Sequence, residues 1–89
     1  MKNAAMIETK EVLVALESEL PRAFPDQERV TQLVQQAADK AREIAGRDGQ
    51  DSPDVYFVEL WAEFPFSLKV SDDEHELLSN AYEEVIVDA

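Results

Sequence analysis

Asp54-Val55-Tyr56-Phe57-Val58-Glu59-Leu60-Trp61-Ala62-Glu63-Phe64-Pro65-Phe66-Ser67-Leu68-Lys69-Val70 is the stretch on which the fold turns. Tyr56, Val58, Leu60, Ala62, Phe64, Phe66, Leu68 and Val70 are apolar at every second position, with Phe57, Glu59, Trp61, Glu63, Pro65, Ser67 and Lys69 between them. Period two, rich in aromatic and β-branched side chains, is a strand signal, because successive side chains of a strand point to opposite faces. A helical register competes over the first part. Ser52-Pro53-Asp54 is a good helix start, and Phe57, Leu60, Trp61 and Phe64 would share one helical face. The alternation continues unbroken through Pro65 to Val70, where no helix could run on, so a strand over about 55–70 is the preferred expectation.

A strand of this length needs hydrogen-bond partners. Three arrangements would supply them: a hairpin folded near Phe64-Pro65, a bend at Pro65 that pairs the strand with Val85-Ile86-Val87, or pairing with a second copy of the chain.

Working outward, Gly46-Arg47-Asp48-Gly49-Gln50-Asp51-Ser52-Pro53 is loop-forming by composition. Before it, Val30, Leu33, Val34, Ala37, Ala41, Ile44 and Ala45 form one apolar stripe at helical spacing, and the alanines would admit another helix at close range. That helix is expected to start near Pro25 or Asp26 and to end at Gly46, a residue suited to the left-handed conformation past a helix end. Met6, Leu13, Leu16 and Leu20 mark an earlier helix over residues 4–20, stopped by Pro21. The short connector between the two helices favours antiparallel neighbours. Downstream, Ser71 and Glu74 have capping-box spacing, with Asp72 and Asp73 in the first turn. Leu77, Leu78, Ala81, Tyr82 and Val85 follow at helical spacing and predict a helix over 72–84, which Val85-Ile86-Val87 would either extend or follow as a short strand. The expected class is α+β in one domain spanning 1–89: two N-terminal helices, a long bent strand or β-hairpin over about 55–70, then a C-terminal helix.

Charge narrows the function. The 89 residues carry eight basic and twenty acidic side chains, a net of −12. Residues 1–50 hold seven basic and nine acidic groups, whereas residues 51–89 hold Lys69 against eleven acids. A surface polarised in this way repels nucleic acid and phospholipid headgroups, so direct nucleic-acid or membrane binding is not expected. No segment reaches the roughly 20 apolar residues of a membrane span, there is no apolar signal-length run at the start, and there is no cysteine. A cytoplasmic location is the default expectation.

Little chemistry is on offer. His75, the one histidine, lies among acids at a helix start, and the two glycines fit no phosphate-binding loop. Asp48, Gln50, Ser52, Asp54 and Glu59 fall at EF-hand spacing, but Pro53 occupies the sixth position, where a glycine makes the sharp turn. No catalytic residue, metal site or cofactor is expected, and the chain reads as a non-enzymatic binding protein.

The candidate partner-binding residues are Glu59, Trp61, Glu63, Asp72, Asp73, Glu76 and Glu83. On a strand, Trp61 and Phe57 would share a face with Glu59 and Glu63, combining aromatic anchors with carboxylates that steer a basic partner. The same rings covered by helices would simply be core. Trp61-Ala62-Glu63-Phe64-Pro65 resembles a short stretch of the barstar family, acidic inhibitors of a ribonuclease. The likeness is confined to those residues, the flanking helices do not line up, and neither a fold nor a residue role is taken from it.

The leading expectation is an acidic inhibitor or regulator that blocks a basic, nucleic-acid-binding site on a partner protein, in the manner of a phage-encoded antagonist such as an anti-CRISPR or a nucleic-acid mimic. An immunity protein or antitoxin neutralising a basic toxin is the second, and a structural or assembly subunit the third. A short chain without staples also suggests a homodimer.

Overall fold

The computed structural model describes residues 4–49, 51–52, 54–64 and 70–87. Its elements are α1 (Ala4–Ala23), α2 (Gln27–Arg47), α3 (Val55–Glu63) and α4 (Asp72–Tyr82), the last running directly into a π-helical turn, Glu83–Val87. Among the described residues there is no strand, so the α+β expectation is overturned and the architecture is all-helical. No helix among the described residues is long and apolar enough to cross a membrane.

The correction falls on the opening stretch. Val55–Glu63 is an α-helix that buries Tyr56, Phe57 and Leu60, with Trp61 and Phe64 packed against the same core. Tyr56 and Leu60 lie four apart and are buried under either period, so they could not discriminate. Phe57 and Val58 decide the matter. Alternation places Val58 and Ala62 inward and Phe57 outward, but Phe57 is fully buried while Val58 is 39% exposed and Ala62 is exposed. β-propensity yields here to the gain from burying a large ring, about 1.5–3 kcal/mol for one aromatic side chain. The helix stops where the sequence forbids it to continue. Phe64 precedes Pro65, whose ring disfavours the helical region for its predecessor, and Phe64 accordingly sits at φ −71°, ψ 130°. A strand over 65–69 and a hairpin turn at Pro65 lie outside the described residues. Val85-Ile86-Val87 belongs to the π-helical turn, which removes it as a strand partner.

The other helices follow their sequence signals with two adjustments. α1 does not stop at Pro21 but continues to Ala23, because the bond from Phe24 N–H to the Leu20 carbonyl (3.0 Å) restores helical pairing just past the proline. α2 starts where expected, with the Asp26 carboxylate accepting from the backbone N–H groups of Glu28 (3.0 Å) and Arg29 (3.4 Å). Its end lies later than Gly46. The helix runs to Arg47, and the left-handed residue is Gly49, at φ 78°. At α4 the capping box is present in full: Ser71 Oγ accepts from Glu74 N–H (3.2 Å), and the Glu74 carboxylate accepts from Ser71 N–H (3.2 Å).

α1 and α2 form an antiparallel hairpin, since Arg47 at the end of α2 reaches Glu8 near the start of α1 at 3.1 Å. α3 packs on both of these helices, whereas α4 and the π-helical turn pack chiefly on α2. The principal core joins Leu13, Leu16 and Leu20 of α1, Val30, Val34, Ala38 and Ala41 of α2, Phe57 and Leu60 of α3, and Leu78, Ala81 and Val85 at the C-terminal end. The α2 alanines act as the sequence suggested, leaving room for the helices that cover them. Ala5, Ile44, Ala45 and Tyr56 close a smaller cluster at the other end of the hairpin. Two polar ties hold the start of α2 to α4: Gln27 donates to the Leu77 carbonyl (2.9 Å), and Asn80 donates to Gln27 Oε1 (3.2 Å).

Candidate functional site

α3 and α4 carry the seven candidate residues. On α3, Glu59 and Glu63 are one turn apart and both exposed. They point away from the Phe57–Leu60 side that the core holds. On α4, Asp72, Glu76 and Glu83 are spaced by four and seven, so they share one side, opposite Leu78 and Ala81; Asp73 borders them in the first turn. All four are exposed. Both acidic strips are thus by-products of amphipathic helices whose apolar sides are fixed in the core.

Trp61 is placed differently from the acids. It is half-buried and packed against the main core, with its ring centroid 5.5 Å from Phe57 and 4.7 Å from Tyr82. Phe57 and Tyr82 are in turn 6.3 Å apart, nearly parallel. The three rings join α3 to the end of α4, in the separation range where aromatic pairs add to simple burial. Glu83 directly follows Tyr82 in the chain, whereas Glu59 and Glu63 each lie two positions from Trp61, on the exposed side of α3. Trp61 therefore contributes an edge of the core instead of an outward face shared with Glu59 and Glu63.

Electrostatically the two halves of the chain differ. Arg22 pairs with Glu19 (3.1 Å), Arg29 with Asp26 (3.7 Å), Arg47 with Glu8 (3.1 Å), and Arg42 with both Asp39 (3.4 Å) and Asp54 (2.7 Å). Among the described residues, none of the acids of α3, α4 or the π-helical turn forms an ion pair. Glu74 spends its carboxylate on the Ser71 cap, and Glu59, Glu63, Asp72, Asp73, Glu76, Glu83 and Glu84 are exposed to solvent.

Among the described residues, Arg42 is the base that reaches this half, a role that no sequence pattern marks. Its guanidinium donates to the Asp54 carboxylate just before α3 and, at 3.5 Å, to the Val85 carbonyl in the π-helical turn, tying α2 to both C-terminal elements. The hydrogen bond to Asp54 raises the Arg42 pKa above its ordinary value, against the opposing effect of burial. Burial also raises the Tyr82 phenol, reinforced by the charge of Asp54. Asp54 was visible in the sequence only as part of a helix start. Its partner lies twelve positions upstream across a loop, a separation that no helical or strand period marks.

Asp48 accepts a hydrogen bond from the Tyr56 hydroxyl, His75 is exposed, and among the described residues no three His, Cys, Asp or Glu side chains converge as a metal ion would require. What the arrangement can do chemically is present an array of fixed carboxylates, beside a packed aromatic cluster, to something positively charged. No family model matches the chain, and no curated protein or solved structure matches it either.

Proposed function

We propose that the chain is a non-enzymatic binding protein whose acidic α3–α4 surface docks on a basic, nucleic-acid-binding site of a partner protein and blocks it. The supporting observation is that the carboxylates of α3 and α4 are exposed and without ion pairs among the described residues, while the arginines are spent elsewhere. Carboxylates held on rigid helices compete for the same arginines and lysines that would otherwise neutralise phosphates. The accumulated negative field also raises the rate at which a basic partner is captured.

The test is capture from an extract of the native host at low salt. The immobilised wild-type chain is compared with a variant carrying Glu59→Gln, Glu63→Gln, Asp72→Asn, Asp73→Asn, Glu76→Gln and Glu83→Gln. A basic protein held by the wild type, lost from the variant and displaced by added nucleic acid is the expected result. A partner held equally by both chains, or one that nucleic acid cannot displace, would refute the proposal.

A further inference from the structure

A groove of about 540 Å³ runs between α1 and α2, and no described residue of α3 or α4 lines it. The lining recurs at every third or fourth position from Glu8 to Glu19 on α1 and from Leu33 to Arg47 on α2. Two facing ridges of this kind, about three turns or roughly 16 Å long on α1 and about four turns or roughly 21 Å on α2, are the seat that a third helix occupies when it packs on a hairpin. The floor is apolar and accessible: Ala15 is exposed, and Val12 and Leu33 are half-buried.

The walls are charged unequally. The α1 wall carries Glu8, Glu11 and Glu19, the last paired with Arg22 outside the groove, whereas the α2 wall mixes Lys40, Glu43 and Arg47. The Arg47–Glu8 pair bridges the walls at one end. Glu11 and Glu43 form no ion pair among the described residues. A second copy would bring another net charge of −12 to a groove whose lining already holds four carboxylates against two bases. The complementary occupant has an apolar stripe bordered by Lys or Arg on the side that meets α1.

We propose that the α1–α2 groove is a second docking site, separate from the acidic α3–α4 surface, which takes a basic amphipathic helix of a partner protein. Binding in this mode reads apolar residues at helical spacing, with flanking charges setting the orientation.

The probe is a synthetic Leu/Lys peptide of roughly 18 residues, long enough to form a helix, with leucines at helical spacing. A permuted peptide of identical composition and charge is its control. Binding to the isotopically labelled full chain is followed by backbone amide NMR shifts. The patterned peptide should shift the amides of Val12, Ala15, Leu33 and Gln36 saturably and bind roughly tenfold more tightly than the permuted one. Ala15→Trp and Gln36→Trp, two substitutions at exposed positions that fill the groove, should each weaken it by roughly tenfold. The six-fold acid variant of α3 and α4 should retain the interaction, so failure of the acidic-surface proposal would leave this one standing. Shifts confined to Glu59, Asp72 and Glu76, or equal binding of the permuted peptide, would mean that only charge is being read and would overturn the proposal. So would a wild-type dimer in sedimentation equilibrium that either tryptophan variant converts to monomer, because the groove would then belong to a second copy.

Discussion

In the hairpin of α1 and α2, four arginines each reach a carboxylate, and residues 1–50 carry a net charge of only −2. In α3, α4 and the π-helical turn, no carboxylate reaches a base among the described residues, although this half holds most of the excess acid. Yet both halves are equally well anchored in one core, through Leu13, Leu20 and Val34 on one side and Phe57, Leu78 and Val85 on the other. The core that holds both halves is therefore apolar and does not include the exposed acids of α3 and α4. Exposed ion pairs contribute about 0–1 kcal/mol each, much less than the burial of the rings. The acids of the second half are thus separable from its stability, and this separability is what lets their role in binding be tested.

The largest effect should come from the core of the second half. Phe57 is fully buried, so Phe57→Ala should cost about 3–5 kcal/mol by chemical denaturation. Glu59→Gln, two positions on, should change stability by less than about 0.5 kcal/mol. Similar costs for the two substitutions would break the contrast between packing and charge.

Arg42 is where the halves meet. A double-mutant cycle of Arg42→Met and Asp54→Asn should give a coupling of about 1 kcal/mol, at the upper end for a partly exposed pair. A coupling indistinguishable from zero would mean that this ion pair does not help to join the two halves.

The end of α2 offers a comparison of opposite sign. Gly46 is helical, and an added Cβ would meet nothing within 4 Å, whereas Gly49 holds φ 78°. Gly46→Ala should stabilise by about 0.5 kcal/mol, and Gly49→Ala should destabilise by about 1 kcal/mol. Thermal unfolding of the pair checks both signs, and matching signs would contradict the helix end described above.

A smaller effect is expected at high pH. The Tyr82 phenol has a raised pKa in the folded chain, so the folded state holds its proton more tightly than the unfolded state does. Its contribution is complete below the ordinary value of 10.0 and is lost as pH rises through the elevated folded value. Tyr82→Phe should therefore flatten the alkaline fall in stability, and an unchanged alkaline slope would show that Tyr82 is not its source.

The helices α1, α2 and α4 were legible in the sequence because each combines an apolar stripe with a start signal or stop close to its true end. Asp26 and the Ser71–Glu74 box are the clearest cases. α3 was legible only as the competing register, with Phe57, Leu60, Trp61 and Phe64 on one face, since Tyr56, Leu60 and Phe64 satisfy both a period of two and a helical face, and the deciding neighbours Phe57 and Val58 are both apolar. What selects the helix is the surface built by α1 and α2, which has room for the Phe57 ring, and no local pattern encodes that surface. The exposure of Asp72, Asp73, Glu76 and Glu83 followed from the α4 stripe, and Glu59 and Glu63 are exposed in the helix that replaced the strand. The inward packing of Trp61 depends on Tyr82, twenty-one positions away, and the Arg42–Asp54 contact on the meeting of separate helices.

The most direct test of the central claim is the affinity of the wild-type chain and of its six-fold acid variant for the captured basic partner, measured across a salt series. The variant lowers the magnitude of the net charge from −12 to −6 at exposed positions, and because Asp72 and Asp73 also favour the α4 dipole, salt conditions are chosen at which the unfolding curves show both chains fully folded. Screening acts over about 8 Å at physiological ionic strength. The variant should bind markedly more weakly at low salt, and the gap should close as salt rises. Equal affinity at low salt, from two chains equally well folded, would contradict the claim.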